Sequence, residues 1–183
     1  MKNKLYYFFL TFSLIALTAS CSKDDDSGDK SDNGKSFESH ITLSVTGDET
    51  GEFSSDANTA IQGSPSNGYD FIISRGPYDA LSDQSFSIFF STGYIESLPL
   101  PIPTGSFDLI PYDDLEKGDG NYAVMFNNSS TGTGFGYEVS GTINITESND
   151  NFVKGDFNFT TTSHTSGELE VDVVGSFLAP TSW

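Results

Sequence analysis

Few side chains in this 183-residue chain could carry chemistry. Nucleophilic catalysis needs a nucleophile, a base and a group that orients the base. His40 and His164 are the only histidines. His40 falls on the polar phase of an alternating stretch and His164 sits among turn residues, so both read as solvent-facing. No Gly-x-Ser-x-Gly elbow occurs, and the single cysteine, Cys21, directly follows a leader-like segment. Two histidines and one such thiol also make a poor zinc site. Paired carboxylates can hydrolyse glycosides. Here 21 of the 26 acidic residues lie beyond residue 36, so such pairs arise without any site behind them. No catalytic set assembles, and the expectation is a protein that is not an enzyme.

Binding is better represented. Asp113, Asp114, Glu116 and Asp119 cluster in a glycine-containing stretch with Gly118 and Gly120. Clustered carboxylates and backbone carbonyls are what calcium requires, although the spacing is not that of an EF-hand loop. A plain polar turn between strands needs the same glycines. The expected cofactor set is therefore none, with calcium as the one ion the sequence allows. Tyr78, Tyr94 and Tyr112 lie near strand ends, and the only arginine, Arg75, lies beside Tyr78. Flat aromatic rings outside a core form platforms for a glycan; equally, tyrosines cap a core with a wet hydroxyl. A third candidate is an enclosed apolar ligand in a barrel lined by Phe86, Phe90 and Tyr122, rings that would also fill a core.

The elements that must position these residues are strands. Ile41, Leu43 and Val45 alternate with polar residues. Shorter stretches follow at 60–64, 69–74, 85–94, 106–110 and 121–127; the 69–74 stretch is apolar on both faces at Phe71, Ile72 and Ile73. Phe135, Tyr137, Val139, Ile143 and Ile145 keep one phase, with Gly141 marking a bend or bulge. Val153, Phe157 and Phe159 form the next face, then Leu169, Val171, Val173 and Phe177. Three long strands joined by polar turns make an antiparallel meander. Alternate prolines at 99, 101 and 103 suit a guarded edge strand. About ten strands predict an all-β domain, an antiparallel β-sandwich, with a flattened up-and-down, lipocalin-like barrel as the alternative.

The N-terminus supplies an address. Lys2 and Lys4 precede an apolar run over 5–17, then Thr18, Ala19 and Ser20. That is the order of a secretory signal, and the run is shorter than the ~20 residues of a membrane-spanning helix. Cys21 is the only cysteine, so it has no disulfide partner within the chain. This segment resembles the lipobox of bacterial lipoproteins, although Thr18 stands where leucine is usual and Leu17 is one step further back. The resemblance implies cleavage before Cys21 and acyl chains, palmitate among them, on that residue. Lys23, Asp24, Asp25 and Asp26 resemble the export signal of Bacteroidota lipoproteins, which implies the outer membrane and the cell surface; a solvated linker has the same composition. The expected organisation is a signal peptide over 1–20, a lipidated acidic tether over 21–36 with no apolar residue from Ser22 to Ser36, and one all-β domain over 37–183.

Net charge is −18, and beyond residue 35 only Arg75, Lys117 and Lys154 are basic. Nucleic acid, which recruits Lys/Arg clusters, is excluded as a partner; so is electrostatic docking on anionic lipid. The expected partners are the membrane, through the lipid on Cys21, and a protein or glycan. The run Gly141, Thr142, Ile143, the motif Gly155-Asp156-Phe157-Asn158-Phe159 and the motif Gly175-Ser176-Phe177 resemble the C-terminal strands of a family of Bacteroidota surface lipoproteins. That resemblance implies β-architecture and brings no activity and no site residues; the expected role, from the anchor and the absence of a catalytic set, is non-catalytic binding or a structural part of the envelope.

Overall fold

Strict alternation of apolar and polar residues is the pattern of a strand with one buried and one wet face, and this chain uses it throughout. The computed structural model describes residues 38–75, 86–115, 120–164 and 168–181. It contains ten strands: β1 (His40–Gly47), β2 (Gly51–Ser55), β3 (Ala57–Ser64), β4 (Gly68–Arg75), β5 (Phe86–Ser91), β6 (Gly105–Pro111), β7 (Tyr122–Asn128), β8 (Thr133–Ser148), β9 (Phe152–Ser163) and β10 (Glu170–Pro180). All join one sheet in the order β2-β1-β10-β9-β8-β6-β7-β5-β4-β3. The two margins of that sheet, β2 and β3, are separated in the chain by Asp56 alone. The run 51–64 therefore pairs first with β1 and then, past Asp56, with β4. The Thr59 hydroxyl on β3 donates to the Pro180 carbonyl at the end of β10, 2.6 Å away. The sheet is nearly closed and barrel-like, and the all-β expectation holds.

Around the sheet the chain keeps its order, and β10 pairs with β1 along the whole of β1. The exception is β6, which lies parallel to β7 and antiparallel to β8. Side chains on the inner phase fill the interior: Phe71, Phe86, Phe90, Phe126, Phe135, Phe157 and Phe177 are all fully buried. Phe90 meets Phe157 with ring centroids 4.9 Å apart, and Phe126 stacks on Phe135 at 5.8 Å. Burying such rings is the main favourable term in folding, at roughly 25 cal/mol per Å² of apolar surface.

The Gly-x-Phe repeats have a geometric cause. In the antiparallel register of β9 and β10, Phe157 faces Gly175 and Phe177 faces Gly155. A Cβ at Gly155 would lie 2.6 Å from the Phe177 ring, and one at Gly175 would strike the Phe157 ring. Each phenylalanine lies over the other strand's glycine, where no other residue leaves room.

Four expectations differ from the structure. Residues 98–103 belong to no strand. Ile102, 2% exposed, and Leu98 are held by the core, while the three prolines face solvent, so side-chain burial and not backbone pairing fixes this segment. The bulges of β8 lie on either side of Gly141, between Phe135 and Val139 and between Ile145 and Glu147. Gly141 itself pairs in register with Phe159, and a Cβ there would strike the backbone of β9. Between Phe135 and Val139 the strand carries more residues than its partner, and this turns Tyr137 outward, 58% exposed. Leu169 precedes β10 and is exposed, so the inner face of that strand starts at Val171.

Candidate functional site

The outer face of β4 is covered where an outer face should be wet. Ile72 and Asp70 have the outward phase, opposite Phe71 and Ile73, yet they are 4% and 5% exposed. What covers them begins after β5. The backbones of Tyr69 and Ile95 exchange two hydrogen bonds, at 2.7 and 2.9 Å, so the chain beyond Ser91 returns alongside β4. Between them, Gly93 adopts φ +66°, and a Cβ there would lie 2.7 Å from the Leu115 side chain. Only glycine combines that left-handed conformation with so close a neighbour. Leu115 follows the short 3-10 turn Tyr112–Asp114.

The result is a groove of about 800 Å³ on the outside of the barrel. Its floor is the outward phase of four strands: Asn58, Ala60 and Gln62 from β3, Asp70, Ile72 and Ser74 from β4, Ser87 and Phe89 from β5, Met125 and Asn127 from β7. Tyr94 and Tyr112 also line it and are 45% and 42% exposed. Phe89 and Tyr112 meet with ring centroids 6.2 Å apart. Concave sites of this volume, apolar with a few converging polar groups, are where small ligands bind.

Asp70 organises one end. The Ser91 hydroxyl donates to its carboxylate at 2.8 and 2.9 Å, and the Thr92 hydroxyl lies 3.3 Å from Oδ1. Burial raises the Asp70 pKa above the ordinary carboxylate value, and the hydrogen bonds from Ser91 and Thr92 oppose that shift. Burial also raises the Tyr112 pKa, with further contributions from the charge of Asp70 and from Tyr94 and Asp113. Tyr112 therefore stays a neutral phenol, able to donate a hydrogen bond at ordinary pH.

Arg75 borders the other end through its place on β4, but its side chain has the inward phase of Phe71 and Ile73 and is 5% exposed. Its guanidinium stands over the Phe86 ring, 4.7 Å from the centroid. Burial lowers its pKa from the ordinary value. The structure thus brings Tyr94 and Tyr112 to one groove and turns the Arg75 guanidinium to the interior side of β4, and Tyr78 lies outside the described residues. Asp70, Phe89, Ile72 and the amides of β3 and β7 escaped the sequence reading. One signal was available, because a strand apolar on both faces must be covered on both.

The other candidates fare differently. Phe86, Phe90 and Tyr122 pack against Phe53, Phe157 and Phe107, so they fill the interior and line no enclosed site. Asp113 and Asp114 lie exposed in the 3-10 turn, while Glu116 and Asp119 lie outside the described residues. Among the described residues no three His, Cys, Asp or Glu side chains are grouped to hold a metal ion. His40 Nδ1 donates to the Glu38 carbonyl, 3.2 Å away, and His164 is exposed in a turn. Cys21, Lys23, Asp24, Asp25 and Asp26 lie outside the described residues.

Comparison with protein families, with curated proteins and with solved structures gives no match.

Proposed function

We propose that this protein is a non-catalytic binding protein, anchored in the outer membrane by lipid on Cys21 and exposed at the cell surface, that holds a saccharide in the groove of Tyr94 and Tyr112. One observation carries the binding role: the barrel interior is packed with phenylalanine, while a concave groove is built on the outside at the cost of leaving two tyrosines half exposed. A purely structural domain has no use for that groove. Its lining favours a sugar over an apolar ligand. Aromatic faces suit the C–H side of a sugar ring, and Asn58, Gln62, Ser74, Ser87 and Asn127 offer donors and acceptors for hydroxyls. The acidic, lysine-poor surface supports solubility and argues against nucleic acid. The signal-like leader and lone cysteine support the anchor.

Titration of the purified protein with neutral oligosaccharides, selected first on a glycan array, tests this reading. Tyr112→Ala and Tyr94→Ala should each weaken binding about tenfold or more, because truncated aromatic anchors cost ~1–2 kcal/mol or more. Both rings are about half exposed, so the unfolding midpoint should move only modestly. Binding unaffected by either change would contradict the site, and the failure of every oligosaccharide to bind would contradict the ligand class.

A further inference from the structure

Among the described residues that border the groove, only Asp70 and Arg75 carry charge. The Arg75 guanidinium faces the interior, over the Phe86 ring. Asp70 has the outward phase of β4, with Ile72 and Ser74, so the charge on the groove side of the sheet is negative. The chain after β5 sets aromatic groups beside it. Thr92 N donates to the Phe71 carbonyl at 3.1 Å, and Ile95 N donates to the Tyr69 carbonyl at 2.9 Å. Those two bonds hold Gly93 and Tyr94 alongside Asp70. Tyr112 lines the same groove and meets the Phe89 ring of its floor.

The donors around Asp70 are dipoles and not cations. Ser91 has a single hydroxyl proton for its two contacts with the carboxylate, at 2.8 and 2.9 Å. The Thr92 hydroxyl also has the Gly93 carbonyl to donate to, at 3.1 Å, nearer than Asp70 Oδ1 at 3.3 Å. Backbone amides of Thr92 and Gly93 assist, yet burial outweighs all of these and leaves the Asp70 pKa raised. A cation close by is what stabilises such a carboxylate. Among the described residues no lysine or arginine supplies one, since Arg75 is turned inward and Lys154 lies on β9. Burial first, and then the Asp70 charge, raise the Tyr112 pKa, so the field of Asp70 reaches that half-exposed ring.

We propose that the saccharide held here carries a protonated amine, as an amino sugar does, placed at the end of the groove lined by Tyr94 and Tyr112 and attracted to Asp70. This inference rests on the saccharide reading and adds the charge of the ligand to it. Aromatic faces attract a cation as well as the C–H side of a sugar ring, so the same tyrosines serve both parts of an amino sugar. The net charge of −18 draws a cationic ligand toward the surface and repels an anionic one.

The experiment compares two trisaccharides of the same linkage by titration calorimetry. It is run at about pH 6, where sugar amines are largely protonated, and about 0.15 M salt, where the long-range field of the acidic surface is screened. Chitotriose carries an ammonium on the second carbon of each sugar, and cellotriose carries a hydroxyl there. The parent protein should bind chitotriose about tenfold more tightly or better, as expected of an interaction with a charged group. Asp70→Asn should bind the two about equally. Asp156→Asn, an exposed change on β9, should keep the preference, which separates Asp70 from the general acidity of the surface. Equal binding of both probes by the parent overturns the proposal. So does a preference retained in Asp70→Asn, or one lost in Asp156→Asn. A second measurement needs no variant to fold: in the parent, the Asp70 carboxyl carbon signal should move further with chitotriose than with cellotriose, and equal movement overturns the proposal. Tighter binding of trilysine than of chitotriose overturns the assignment to a saccharide in favour of a basic peptide. If cellotriose binds and Tyr112→Ala abolishes that binding, a missing amine preference sinks this inference alone. If neither trisaccharide nor any neutral oligosaccharide binds, the saccharide reading fails with it.

Discussion

Phe157→Ala should be among the most destabilising single changes in this domain. The ring is 1% exposed. It meets Phe90 at 4.9 Å and Phe159 at 6.1 Å between centroids, and it lies over Gly175 on β10. Truncating a buried phenylalanine costs about 3–5 kcal/mol, the larger values where neighbours cannot collapse into the space. Here they cannot collapse readily, because Gly175 has no side chain to move in and Phe90 is itself wedged among other rings. The expected cost is near the top of that range. Lys154→Ala, on the outward phase of the same strand, should cost no more than about 0.5 kcal/mol. Urea melts of both variants measure the difference. A second comparison tests the geometry more sharply. Gly175→Ala places a methyl group against the Phe157 ring and the Thr42 carbonyl. Combined with Phe157→Ala, it should cost less than the sum of the two single changes, because the ring clash is gone while the carbonyl clash remains. Coupling between touching residues runs to about 0.5–3 kcal/mol. Equal costs for Phe157→Ala and Lys154→Ala would refute the strand phase, and strict additivity would refute the face-to-glycine packing.

Cys21→Ala should abolish acylation and release the protein from membranes; metabolic labelling with a fatty acid checks this, and label retained on the variant would rule out the anchor. Replacing Lys23, Asp24, Asp25 and Asp26 with alanine should keep the lipid and reduce surface exposure, and equal protease shaving of intact cells carrying parent or variant would reduce that run to a linker. Asp70 has its pKa raised in the folded protein by burial. Its contribution to stability is therefore present below the ordinary carboxylate range, about pH 4, and is lost as pH rises through the higher folded value. Asp70→Asn should flatten the decline in urea midpoint over that window, and an unchanged slope would place the pH dependence elsewhere.

Much of the fold was legible in the sequence because a strand with one wet face writes its phase into every second residue. Val153, Phe157, Phe159, Val171, Val173 and Phe177 were assigned to the buried face on that ground, and all are buried. Periodicity failed where the backbone departs from a regular ladder. Tyr137 keeps the spacing of Phe135 and Val139, but the extra residues between those two turn it out. β2 escaped notice because Phe53 is its only large apolar side chain. The margin of the sheet at Asp56 was invisible, since nothing local announces that a strand changes partner in mid-run. In the groove, residue type was enough to single out Tyr94 and Tyr112. Their convergence was not readable, because it depends on the chain after Ser91 rejoining β4 at Tyr69.

The account stands on the outer groove as the place where ligand binds. Amide chemical-shift mapping during titration with a bound oligosaccharide tests that directly. The largest shifts should fall on β3, β4, β5 and β7 and near Tyr94 and Tyr112, with Gln62, Ser74, Ser87 and Asn127 among them, while Asn144, Asp156 and Asp172 on the far side of the barrel stay still. Shifts concentrated on β8, β9 and β10, with the groove silent, would contradict it.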